Sequence, residues 1–145
     1  MDALYWLALI SYALAFLIVI GFSIIYLKRT DFMPYHSVAV ARPWNEVDPR
    51  MQVLLLALIK VTGWAWLAIA LAGFLLLYLL FFRNGELIQL LAFQVFCLIS
   101  AIPPIAVGVY VRKKTEAPTP IFSGSLVVLL IVLGFTFALL SARYI

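Results

Sequence analysis

The sequence predicts an all-α integral membrane protein, a single domain over 1–145 folded as a bundle of four transmembrane helices with both termini on the outer side. Three observations predict it. Hydrophobic residues make up 67% of the 145-residue chain and charged residues only 11%. Soluble domains run at roughly 45–50% and about 25%, so lipid must be the solvent for most of this surface. The apolar residues fall into four long runs, and the basic residues collect in the connections between alternate runs.

The runs cover about 4–27, 53–82, 87–111 and 121–142. Each supplies the about 20 predominantly apolar residues that a helix needs to cross a bilayer. None alternates like a strand, and inside hydrocarbon the backbone must bond to itself, so the runs are helices. The first run has no Lys or Arg before it and exceeds the core of a secretory signal, which predicts a retained helix. Asp48-Pro49 reads as the N-cap and first-turn proline opening the second helix, and Thr119-Pro120 as the same device for the fourth. The turn between the second and third runs is only Arg83-Asn84-Gly85-Glu86. A link that short predicts antiparallel neighbours.

Orientation follows from the loop lysines and arginines. Lys28, Arg29, Arg42, Arg50 and Lys60 flank the first connection, 28–50, and Arg112, Lys113 and Lys114 flank the third, 112–120. Arg83 and Arg143 stand on the other side. Both long connections are therefore expected to be cytoplasmic. Tyr5, Trp6 and Tyr144 are expected in an outer aromatic belt, with Tyr26, Trp64, Trp66 and Tyr110 in an inner one.

The composition also excludes. The net charge of +4 lies in loops and does not form the basic stripe of a nucleic-acid partner. Cys97 stands alone, so neither an internal disulfide nor a cysteine metal cluster can form. One histidine cannot supply both axial ligands of a bis-histidine haem, and no metal or nucleotide motif is present. All six acids lie in loops or at span ends, which argues against a proton-coupled exporter, whose ion path needs an intramembrane carboxylate.

Few residues remain that carry chemistry. Lys60 lies inside the second run. A helix from Pro49 to Phe82 would be about 51 Å long at 1.5 Å per residue, so Lys60 falls near the inner surface, where a lysine snorkels or meets a ligand. Pro103 and Pro104 lack N–H groups and deprive the carbonyls of Ile99 and Ser100 of helical partners. The kink stands at a depth similar to that of Lys60, so its ammonium could pair with those carbonyls. His36 and Trp44 belong to a long aromatic connection expected to lie in the inner interface, with Asp31, Glu46 and Asp48 nearby in sequence. Lys60, His36, Trp44, Ser100, Pro103 and Pro104 therefore make one candidate ligand site. Ser11/Ala15, Ala68/Ala72 and Gly134/Ala138 show small-residue spacings that let helices approach, and Gln94 offers an interhelical hydrogen bond.

Phe32-Met33-Pro34-Tyr35-His36, then Trp44, then the run from Gln52 to Lys60 resembles uncharacterised bacterial four-helix inner-membrane proteins across the first half of the chain. The resemblance implies a bacterial inner-membrane address and no particular activity. Three functional readings follow. The residues favour a non-enzymatic structural or accessory subunit, packed in the membrane against itself or a protein partner. The second reading is a small binding or transport protein for a lipid, quinone or other amphiphile, with an inner-leaflet site near Lys60. The third is a membrane enzyme using His36 as acid or base.

Overall fold

The computed structural model describes residues 2–141, and these are all-helical. Arg143, Tyr144 and the expected end of the fourth span at Ala142 lie outside the described residues. The elements are α1 (Ala3–Lys28), a short α2 (Pro34–Val40), a 3-10 turn at Trp44–Glu46, α3 (Pro49–Phe82), α4 (Leu87–Thr115) and α5 (Ile121–Leu140). Helices α1, α3, α4 and α5 are long and apolar enough to cross a membrane. Their outer surfaces are apolar, with Phe122, Val53 and Ile99 among the exposed side chains.

Local signals set most ends. Asp2 Oδ1 accepts the Tyr5 N–H at the start of α1. Asp48 Oδ1 accepts the N–H groups of Arg50 and Met51, capping α3 with Pro49 in its first turn. The fourth span opens differently from the expectation. Thr119 does not cap it; its hydroxyl donates to the Gly108 carbonyl at 2.9 Å, and Pro120 holds the cap position. Helix α4 runs to Thr115, past the expected end near 111. Arg112, Lys113 and Lys114 form its last turn, where cations favour the helix dipole.

Helix α1 is the hub. It packs along α3 and α5, while α4 packs chiefly on α5. The second and third spans are neighbours joined by a tight turn, as expected, but α3 and α4 pack on each other far less than α3 packs on α1 or α4 on α5. The connection fixes only their ends, and side-chain fit fixes the rest. Gly73 of α3 lies directly on the Phe16 ring, and Gly134 of α5 on Tyr12, both from α1. Tyr5, expected in the outer belt, is instead buried, its hydroxyl donating to the Phe81 carbonyl where α1 meets α3. A phenol can enter the core when its O–H finds an acceptor.

The core fills the half of the bundle near the 83–86 turn, with Tyr12, Leu90 and Ile131 almost fully buried. A smaller cluster of Tyr26, Met33 and Ile59 lies at the opposite, loop end. Gly73→Ala should therefore lower the unfolding free energy by about 1–3 kcal/mol, because its methyl must displace the Phe16 ring. Gly21→Ala, whose methyl meets open space, should be neutral or add up to about 1 kcal/mol. Thermal or denaturant unfolding in one detergent compares the two variants directly.

Candidate functional site

The loop half of the bundle is held open by two separate sets of contacts. On one side Ser23 Oγ donates to the Gly63 carbonyl at 2.9 Å, and the Lys60 ammonium donates to the Leu27 carbonyl, binding α3 to α1. On the other, Ile105 presses on Gly124, and the Thr119 hydroxyl holds Gly108, binding α4 to α5. Arg112 adds a bond from Nη2 to the Thr119 carbonyl at 2.9 Å. Pulled toward different partners, α3 and α4 part below their shared turn. Helix α2 touches α4 across the loop end of the gap.

The result is a cavity of about 540 Å³. That lies within the range of about 300–1,000 Å³ usual for small-molecule sites. Its deep end is apolar, formed by Ala15, Phe16, Cys97 and Ile131. Its loop end carries the polar groups, with Tyr26 of α1 and Tyr35 and His36 of α2. The two tyrosine hydroxyls bond each other. Trp66 packs on Tyr26 with ring centroids 5.0 Å apart, and Tyr35 on His36 at 4.6 Å.

The structure divides the sequence-predicted site. His36, Ser100, Pro103 and Pro104 line the cavity. Both prolines lie inside an unbroken α4. Lys60 does not line it: its ammonium serves the Leu27 carbonyl, one of the last four of α1 and so without a partner in its own helix. Trp44 is also elsewhere, packed on Phe32 at 4.7 Å beside a shallow surface depression of the first connection. Gln52 Nε2 donates to its carbonyl at 2.7 Å. Among the packing positions, Ser11, Ala15, Gln94, Gly134 and Ala138 are buried inside the bundle, while Ala68 and Ala72 face outward on α3. Gln94 Oε1 accepts the Tyr12 hydroxyl at 2.8 Å.

Sequence reasoning missed Tyr26, Tyr35 and Trp66 as cavity residues, having placed Tyr26 and Trp66 in an aromatic belt. The belt rule gives a residue's depth but not the face it occupies. The bunching of aromatics from Phe32 to His36 was the available signal.

His36 Nδ1 accepts the Met33 N–H at 3.3 Å, so the hydrogen of the neutral ring sits on Nε2. Burial, and secondly the positive charge of Arg29, hold the imidazole below its ordinary value. Burial likewise raises Tyr35, which stays a neutral phenol. Two of the acids near His36 in sequence are engaged elsewhere: Asp31 pairs with Arg29 at 3.4 Å, and Asp48 caps α3. Among the described residues no three His, Cys, Asp or Glu side chains converge.

Three expectations follow. Proton NMR of the single histidine should show it titrating below 6.5, with Arg29→Gln moving it part of the way back. Because the folded value is depressed, the unfolded chain binds more protons between the two values. The loop end should therefore keep its full stability above about pH 6.5 and lose some as pH falls through that window. Lys60→Met should cost about 1–2 kcal/mol by orphaning the Leu27 carbonyl, and Lys60→Arg should recover much of it, read by unfolding. Comparison with protein families, curated proteins and solved structures finds no match, so the functional reading rests on the geometry of the cavity.

Proposed function

We propose that this chain is a small membrane protein that binds an amphiphile in the leaflet at its loop end. One observation carries the reading: the bundle is tightly packed near the 83–86 turn and hollow in its other half, with polar groups gathered at one end of the hollow. That is the polarity of a lipid-like molecule, with its head near the surface and its tail toward the bilayer centre. Weak contact between α3 and α4 supplies a route in from the side. The clustering of loop arginines and lysines supports placing this end on the cytoplasmic side of a bacterial inner membrane.

A second reading has its own observation. Ala68 and Ala72 sit outward on α3, a small-residue surface on which another helix could approach closely. An accessory subunit would use such a face, and the two roles are compatible.

Native mass spectrometry of the protein, released gently from its own membrane, should show a retained amphiphile. Val107→Trp places a large ring at the cavity wall from a largely exposed position and should abolish that retention while the fold persists. Release of a bare chain by the unaltered protein, together with foreign subunits, would instead favour the accessory role.

A further inference from the structure

Granted the amphiphile reading, the polar end of the cavity defines which head group it takes. Among the described residues no Asp, Glu, Lys or Arg lies on the wall. The nearest cations stand behind it and are engaged, Arg29 with Asp31 and Arg112 with the Thr119 carbonyl, so a charged head would meet no free counter-charge on the wall, which an apolar surrounding strongly disfavours. The head is therefore uncharged.

The same end has donors to spare. The bond between the Tyr26 and Tyr35 hydroxyls uses one phenolic hydrogen, and the other has no acceptor among the described residues. His36 spends Nδ1 on the Met33 N–H, which leaves Nε2–H to donate. Deeper along the wall, one turn from Cys97, the Ser100 hydroxyl makes no hydrogen bond among the described residues, unlike Ser11, Thr62 and Thr136, which bond back to their own helices. Unused donors around an uncharged ligand call for carbonyl oxygens. Tyr26, Tyr35, His36 and Trp66 also bring four ring faces to this end. Ring faces favour a flat conjugated partner over a flexible ester head, because offset and edge contacts between rings add to their buried area.

We propose that the cavity binds a membrane quinone, its ring among Tyr26, Tyr35, His36 and Trp66, a ring carbonyl accepting the free Tyr O–H or the His36 Nε2–H, and its tail directed toward Cys97.

The test uses the full chain in phosphatidylcholine nanodiscs titrated with decylubiquinone, with tryptophan fluorescence as the readout. Saturable quenching is expected, and Trp66→Phe should remove most of the saturable part. His36→Asn keeps an acceptor for the Met33 N–H while replacing the Nε2–H and its ring face by a shorter amide donor, so it tests the head contact without removing the cap of α2. Combined with Tyr35→Phe it should weaken binding by at least about tenfold, the scale expected for losing hydrogen bonds to the ligand. Tyr35→Phe alone should fall between, and the far-ultraviolet helix signal should be unchanged in all four variants. Decylbenzene, with the same tail and no carbonyl, should bind at least about tenfold more weakly than the quinone.

Equal binding of decylbenzene, or wild-type affinity in the double variant, would overturn the head-group assignment while leaving a hydrophobic site in place. Displacement of the quinone by an equal or lower concentration of monoolein or oleate would also overturn it, in favour of a glyceride or a fatty acid. Absence of saturable binding for every one of these probes, with nothing retained from the native membrane, would defeat the amphiphile reading itself.

Discussion

Tyr12 is fully buried in α1 and meets all three of the other spans. Its ring covers Gly134 of α5, stands 6.4 Å from Phe81 of α3 and 5.0 Å from Phe93 of α4, and its hydroxyl reaches Gln94. In lipid, apolar surface alone gives helices no reason to associate, since acyl chains solvate it equally well. What orders the bundle is therefore fit and polar pairing, and Tyr12 supplies both at one point. Gln94 could not be buried among these rings without the Tyr12 hydroxyl, because an unpaired amide in hydrocarbon is costly. The position of α4 against α1 near the turn follows from that pair.

With the turn end fixed, the loop end is free to diverge. Ser23 and Lys60 hold α1 to α3, while Thr119 and Ile105 hold α5 to α4, and among the described residues no side-chain hydrogen bond joins α3 to α4. The double proline suits this arrangement. Pro103 and Pro104 leave the Ile99 and Ser100 carbonyls without helical N–H partners along the stretch that borders the cavity. Helix α2 then matters out of proportion to its seven residues, because it brings Tyr35 and His36 to the loop end of the cavity.

Much of this was legible in the residues. Apolar run length alone located all four spans, and Asp48-Pro49 marked the start of α3 as read. What the residues did not show was how closely each pair of spans packs. A short turn between 82 and 87 suggested paired helices, but connectivity constrains only the ends, while Gly73, Gly134 and Tyr12 decide which faces meet. Lys60 and Pro103 were correctly seen to be unusual in lipid, yet depth along a helix does not report azimuth. Lys60 turns to the end of α1, while the prolines turn to the cavity. The Tyr26–Tyr35 pair joins a transmembrane helix to a loop helix, and no periodicity in the sequence encodes such a contact.

An apolar hollow in a membrane protein is not in itself selective. Any acyl chain can enter it, and the gain is small, because the chain leaves surroundings as apolar as those it reaches. Discrimination has to come from the few groups for which the bilayer interior offers no substitute. In this chain those are hydrogen-bond donors held at the loop end and fixed from behind: Tyr35 by Tyr26, and the His36 ring by the Met33 N–H. Both sit on α2, so tilting that short helix would shift the donors together while the apolar wall stayed in place. Affinity for a tail and recognition of a head would then be carried by separate elements. The tail depends on helices fixed through Tyr12, and the head on a seven-residue segment anchored chiefly through its side chains.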